Sequence, residues 1–531
     1  MVLKISTILF LFIGGAIPTR NMAQTFSNQS SPFGITTLST TSNTISFANE
    51  VGAKSVRLAG PQAIVWDRVK SQGWSENDKI INDLYNSGFE ISVVVLGGNP
   101  VASGNLDEYS KFISEMAERY NGDGINDASG SPIVTYFEID NEPDLYEPNE
   151  NSDWHGNLSE TKDYALVLKT AYEAIKSTSP NAKVAIAGEA FAAQNSKVYY
   201  DSILTELDKL KTNGDDRYFD VYNFHYYGFY YEYLANQISD VKSLLSKHGC
   251  SNVEIIVTET ATYSGTSMFG GISNNMPYQS EEQQAESLVK RYVYSKANGI
   301  DKIYWYMQHA ENGLSSSSGS KLLAYYSFKK MTDILEGSEW TNIVKIREDT
   351  VNNIFIYKFT KNGNPIYAAW WDYFNSIGYN SGDSMVVTIS GLSSIAVMVI
   401  QAVPKYTSGI NITDYNAAFV KNTENVQNSS VTFYIKEKPV FVEELNTTSI
   451  DEMKGGNSVK VYPNPSNSTI NLQLPENNCQ IKIFDVMGNL VFEKTLHSKQ
   501  ETLTLNLPKG MYFCQIINEQ KIISVKKIII Q

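Results

Sequence analysis

Eight short β-like runs, each followed by room for a helix, constrain this chain more than any other feature. The runs are Phe33–Thr36, Ser55–Ala59, Ile91–Leu96, Val134–Ile139, Lys183–Ala187, Phe219–Phe224, Glu254–Thr258 and Lys302–Tyr306. Between them lie apolar stripes of helical period. Ile80, Ile81, Leu84 and Tyr85 share one face of a helix that Ser75 caps and Gly88 ends. Tyr109, Phe112, Ile113, Met116 and Tyr120 trace a second stripe, and Tyr164, Leu168, Tyr172 and Ile175 a third. Ser280 and Gln283 form a capping box ahead of Leu288, Val289 and Tyr292, and Asn298-Gly299 ends that helix. Strands that alternate with helices run parallel, and eight such units close into an α/β fold, the TIM (β/α)8 barrel.

After about Tyr325 the period changes. A helix near Phe328–Leu335 precedes alternating segments at Ile354–Phe359, Ile366–Trp371, Ser384–Ile389, Ile395–Ile400 and Val431–Ile435, the pattern of an antiparallel β-sandwich. A polar stretch, about Asn446–Ser458, leads to Tyr462-Pro463-Asn464-Pro465 and six further runs. These are Thr469–Leu474, Gln480–Phe484, Leu490–Leu496, Thr502–Leu507, Tyr512–Ile517 and Lys521–Ile530, separated by turns such as Met487-Gly488-Asn489 and Pro508-Lys509-Gly510. The expected organisation is a signal peptide over 1–23 and a barrel over 24–324. A sandwich over 325–445, a linker over 446–458 and a small immunoglobulin-like all-β domain over 459–531 complete it.

The N-terminus reads as an export signal: Lys4, an apolar run from Ile5 to Ile17, then Asn21-Met22-Ala23 before Gln24. That run is too short to span a bilayer, and no other stretch approaches transmembrane length. A net charge of −14 argues against nucleic acid as partner, because phosphate contacts need clustered Lys and Arg. The 33 tyrosines suit a wet surface that stacks on sugars, and suit ordinary packing equally well. Cys479 and Cys514 share the last domain and are candidates for pairing in an oxidising compartment, whereas Cys250 stands alone. Asn121–Asp127 has oxygen ligands at alternate positions like part of a calcium loop. It lacks the acidic twelfth ligand and also reads as a solvated turn.

The chemistry lies at two strand ends. Glu138-Ile139-Asp140-Asn141-Glu142-Pro143 and Val257-Thr258-Glu259-Thr260-Ala261 each end an apolar run in a glutamate. A parallel barrel gathers such ends around one mouth, and a facing carboxylate pair is the apparatus that cleaves glycosidic bonds. Glu142 is the candidate acid/base and Glu259 the candidate nucleophile. Asn141 offers an amide to a sugar 2-hydroxyl, and Arg57 adds positive charge near the nucleophile. His225 and Tyr227 point the same way on alternating geometry, and the Tyr227 hydroxyl is placed to hydrogen-bond Glu259. Trp305 is a candidate aromatic floor for a sugar ring. Glu138 and Glu189 are rival carboxylates, read as a barrel-interior partner of a base and a rim residue. No metal or cofactor is expected.

Together these residues resemble clan A of the glycoside hydrolases, (β/α)8 retaining enzymes with Asn-Glu at the end of strand four and Glu at the end of strand seven. The resemblance spans about Phe33–His309 and includes the strand-two Arg57, the strand-six His225-Tyr226-Tyr227 and the strand-eight Trp305. It implies double displacement through a glycosyl-enzyme on Glu259, acting on a β-linked polysaccharide or oligosaccharide. The attached sandwich resembles that of families 30 and 39. Val257-Thr258-Glu259-Thr260-Ala261 differs from the Glu-Trp or Glu-Phe-Gly sequences of many members. The alternatives are a non-catalytic surface carbohydrate-binding protein on the same scaffold, and a polysaccharide lyase. The last unit resembles the C-terminal sorting domain of type IX secretion. Its Tyr-Pro-Asn-Pro start, Ile481–Gly488, Leu507–Tyr512 and Lys526-Lys527-Ile528 carry that likeness. It implies export to the periplasm, recognition by the type IX machinery, and a secreted or cell-surface product.

Overall fold

All eight expected strands form, each within two residues of its expected limits. They are β1 (Phe33–Thr37), β2 (Ser55–Leu58), β3 (Glu90–Leu96), β4 (Tyr136–Asn141), β5 (Lys183–Gly188), β6 (Val221–Tyr226), β7 (Glu254–Thr260) and β8 (Lys302–Trp305). The computed structural model describes residues 31–531 except 38, 146–152, 191–195, 215, 228–230, 266–278, 308–311, 372–383, 446–458, 486–488 and 519–520. The export signal and the linker therefore lie outside the described residues, as do residues 487 and 488 of one expected turn.

Each strand pairs in parallel with its sequence neighbour, and β1 pairs with both β2 and β8, which closes the ring. A two-residue strand, Ile64–Val65, adds to β3. Both faces of the strands are covered, so Ile91, Val93, Val94 and Val95 are all buried. Beneath the ring Lys302 Nζ meets Glu90 Oε2 at 2.6 Å and the Ser31 carbonyl at 3.1 Å, a buried ion pair that plugs the end opposite the mouth.

The helices follow from their stripes. Thr161–Thr178 buries Tyr164, Leu168 and Ile175, and Leu106–Arg119 buries Tyr109, Phe112, Ile113 and Met116. Glu281–Ala297 begins at the expected Ser280–Gln283 capping box. In Ser75–Asn86 the capping position falls on Trp74 instead of Ser75, with no side-chain cap bond. The helix Leu323–Leu335 crosses the expected 324/325 boundary. Its Phe328 packs on Phe33 of β1 and on Tyr292, and Thr332 donates to the Val51 carbonyl, so it completes the eighth βα unit.

The chain divides into two compact units, one of residues 1–385, 400–420 and 435–441, the other of 386–399, 421–434 and 442–531. In the first, Val344–Asp349, Ile354–Lys361 and Asn364–Trp371 form an antiparallel meander, with Phe355 stacked on Trp370. Antiparallel β structure of a sandwich follows. Of its strands, the sequence pattern missed Val344–Asp349 and Lys421–Asn425, which are largely exposed, and Val440–Glu444, whose buried Val440, Phe441 and Val442 form a run too short to show alternation.

In the second unit the last domain is all-β. One sheet joins Lys460–Tyr462, Thr469–Gln473 and Gln500–Thr504; the other orders Leu490–Leu496, Cys479–Phe484, Gly510–Asn518 and Lys521–Ile530. Ile470, Leu472, Ile481, Ile483, Leu503 and Ile516 fill its core. Cys479 and Cys514 lie in that core as free thiols, so the pairing considered from sequence does not occur.

Candidate active site

β4 delivers its last residues to the mouth through an irregular backbone. Asp140 and Glu142 both adopt positive φ, 71° and 48°, and the Glu142 N–H donates to the Gly188 carbonyl of β5 at 3.2 Å. Non-glycine residues held there cost roughly 1–3 kcal/mol each, so the surroundings must impose the geometry. Register shifts also interrupt the pairing of β6 with β7 at Phe224/His225, and of β7 with β8 beyond Val257. Such bulges re-aim side chains. Here they set His225 opposite Glu259.

The two glutamates and His225 converge. Their ligand-type atoms lie within 4.8 Å of one another. Glu142 keeps 17% of its side chain exposed and Glu259 keeps 10%, enough for a ligand in the mouth to reach both. Arg57, fully buried, organises the rest. Its Nε and Nη2 grip Glu138 at 2.7 and 2.8 Å, Nη1 donates to Glu259 Oε1 at 2.7 Å, and Nη2 also donates to Asn141 Oδ1 at 2.8 Å. The Asn141 amide oxygen is thereby taken, leaving its N–H₂ as the half that can donate to a hydroxyl. Tyr227 donates its hydroxyl to Glu259 Oε2. Burial pushes the Glu259 pKa up, but the charges of His225 and Arg57 and the bonds from Tyr227 and Arg57 outweigh it, so the net shift is downward.

Protons around His225 can be placed from the bonding. The Thr258 N–H and hydroxyl both donate to Asn223 Oδ1, at 3.3 and 2.7 Å, which leaves Thr258 Oγ1 an acceptor for His225 Nε2 at 3.0 Å. Nε2 therefore carries a hydrogen. Nδ1 lies 2.7 Å from Glu142 Oε1 and 3.7 Å from Glu259 Oε2, so one proton is shared between the imidazole and Glu142. Burial pulls the His225 pKa down, and the Glu259 and Glu142 carboxylates more than reverse this.

Trp305 stands where β8 ends but is fully buried, its Nε1 donating to the Asn312 carbonyl at 2.8 Å. It is packed behind the mouth, at the end of the strand where the candidate aromatic floor was expected. Tyr306, edge-on to Tyr227 at 5.7 Å, is the neighbouring aromatic ring. Glu138 is the interior partner of a base, as expected. Glu189 is buried, accepts from the Tyr222 hydroxyl at 2.8 Å, and is pushed up to about 7 by burial. Sequence reasoning missed Asn223 and Thr258, whose signal was only their place in the strands carrying His225 and Glu259. It also missed Asp140 and Trp154, joined at 2.9 Å. The Asn121–Asp127 segment is a self-capped turn. Asn121, Asp123 and Asp127 accept from the backbone N–H of Asp123, Ile125 and Gly124 at 2.9, 2.7 and 2.8 Å.

Comparison with known proteins agrees with this architecture. The fold is similar to a family 39 glycoside hydrolase from the gut symbiont Bacteroides cellulosilyticus WH2, at 13% identity and TM-score 0.52, over 78% of this chain and 81% of that one. It is similar to a GH30 endoxylanase from Clostridium papyrosolvens C71, at 16% identity and TM-score 0.50, over 78% and 95%. A glucosidase from Croceicoccus marinus aligns at 13% identity and TM-score 0.53, over 78% and 96%. No curated protein matches the sequence. Residues 460–531 match the secretion system C-terminal sorting domain, which marks the product for export by type IX secretion to the cell surface or beyond. Residues 18–311, more than half the chain, match the model for cellulase (glycosyl hydrolase family 5). The chain therefore belongs to glycosyl hydrolase family 5, within clan A, and is a glycosidase.

Proposed function

We propose that this enzyme cleaves β-glycosidic bonds in a polysaccharide or oligosaccharide with retention, by double displacement. The approach of the Glu142 and Glu259 carboxylates to within 4.8 Å carries the reading. Retaining pairs stand about 5–5.5 Å apart, whereas inverting pairs leave about 6.5–9.5 Å for a water. Glu259, kept ionised by Arg57 and Tyr227, attacks the anomeric carbon as Glu142 passes its proton to the departing oxygen. Glu142 then takes a proton from water, and the hydroxide equivalent displaces Glu259 from the sugar. Asn141 donates to the 2-hydroxyl, a bond that tightens as the ring gains oxocarbenium character. Trp305 backs the subsite from within the wall.

Export is read as passage to the periplasm directed by residues 1–23, then recognition of residues 459–531 by the type IX machinery.

Glu259→Gln is expected to lower turnover at least about a thousandfold, and Glu142→Ala roughly 10²–10⁴-fold. A 2-fluoro glycoside of an accepted substrate should label Glu259, and NMR of the first product should show the β-anomer. An α-anomer, or label on Glu138 or Glu189, would overturn the assignment. Binding of a panel of polysaccharides and oligosaccharides without hydrolysis of any of them would favour the alternative of a carbohydrate-binding protein on this scaffold.

A further inference from the structure

Asp140 and Trp154 play no part in the steps above, yet they bracket the residue that moves the proton. Asp140 is buried at positive φ two residues before Glu142. Both of its oxygens are engaged: Oδ1 accepts from the Asn141 N–H at 2.8 Å, and Oδ2 from Trp154 Nε1 at 2.9 Å. Trp154 has no exposed surface and lies edge-on to Tyr164 at 5.4 Å. Tyr164 in turn donates to the Ile139 carbonyl of β4 at 2.7 Å and accepts from the Ala187 N–H of β5 at 2.8 Å.

The segment around Trp154 is tied down on both sides. The Asn99 N–H donates to Asp153 Oδ2 at 3.1 Å, and the Gly156 N–H to the Pro143 carbonyl at 3.0 Å. A Cβ on Gly156 would fall 2.5 Å from the Asp144 carbonyl oxygen, so this approach needs glycine. The left-handed turn carrying Glu142 is thus held upstream through Asp140 and downstream through Pro143, by one short stretch of chain.

We infer that Trp154 is a positioning residue for the acid/base: its indole N–H, through the Asp140 carboxylate, aims Glu142 at the departing glycosidic oxygen. The inference rests on Glu142 being the acid/base. Its signature is specific. A misaimed acid slows departure of poor leaving groups, which need the proton, and spares good ones, which do not.

The test compares Trp154→Phe and Asp140→Asn with wild type and Glu142→Ala. Each is given phenyl and 2,4-dinitrophenyl glycosides of whichever of glucose, xylose or cellobiose the wild type turns over fastest. Phe keeps a ring against Tyr164 and Asn keeps the shape of Asp140. In both variants kcat/KM for the phenyl glycoside should fall about tenfold to a hundredfold, with the dinitrophenyl value within about twofold of wild type. Equal losses on both substrates, no loss on either, or failure of both variants to fold would make the pair merely structural and overturn the inference. If only one folds, its profile decides. Absence of the leaving-group contrast in Glu142→Ala would instead sink the acid/base assignment.

Discussion

At the scale of single residues, Arg57 does the most. One guanidinium neutralises Glu138, orients Asn141 and holds Glu259, so it could not be replaced by a lysine, which offers no planar fork. Tyr227 acts on the other oxygen of Glu259 and helps to keep its pKa low. Tyr227→Phe should therefore move the acidic limb of the kcat/KM profile to higher pH and lower its plateau about tenfold. A pH–rate series decides this, and an unmoved acidic limb would deny the tyrosine that role. Arg57, Asn141, Glu142, His225, Tyr227 and Glu259 were legible in the sequence because each sits at or near the end of a readable strand. Asp140–Trp154 was not, since a lone tryptophan in a polar loop gives no sign of its partner. The place of Trp305 at the end of β8 was legible and its burial was not, because strand position alone does not give exposure.

At the scale of elements, strand ends make the site and strand packing restricts it. Gly188 closes β5 beside His225, and a Cβ there would fall 2.2 Å from His225 Nε2. Gly188→Ala should push the imidazole off Thr258 and Glu142, lowering kcat about tenfold or more while destabilising the fold by about 1–3 kcal/mol. Paired kinetics and thermal melts check it; wild-type kcat would show that the ring tolerates displacement. The eight βα units were legible because short apolar runs, buried on both faces, alternate with helical stripes of period about 3.6. The bulges were not. A register shift inserts no residue type of its own, yet here it decides that His225 faces Glu259. The later strands were read less completely, since Lys421–Asn425 is exposed nearly throughout and so carries no apolar alternation.

At the scale of the molecule, buried acids set the pH response. Burial raises Asp140 and Glu189 to about 7 and Asp144 to about 6. Between pH 4 and 7 the folded chain therefore holds protons the unfolded chain has released, and stability falls as pH rises through that window. His225, raised in the fold, acts in the same direction: its contribution is whole below its unfolded pKa and lost above its folded one. The lowered Glu259 works oppositely, its contribution fading only as pH drops further. All seven tryptophans lie between residues 66 and 371, so their fluorescence reports the barrel-bearing unit. Its melting temperature should be several degrees higher at pH 5 than at pH 7.5, and equal values would refute the account. The pairing of β1 with β8 has a further consequence. Phe33 meets Ile303 across that seam, so the first strand waits for nearly three hundred residues before its second neighbour exists. Any fragment released earlier carries two open sheet edges, the template on which chains aggregate. A nascent or translocating chain thus has no half-finished form worth keeping, and whatever escorts it must stay until the eighth strand arrives.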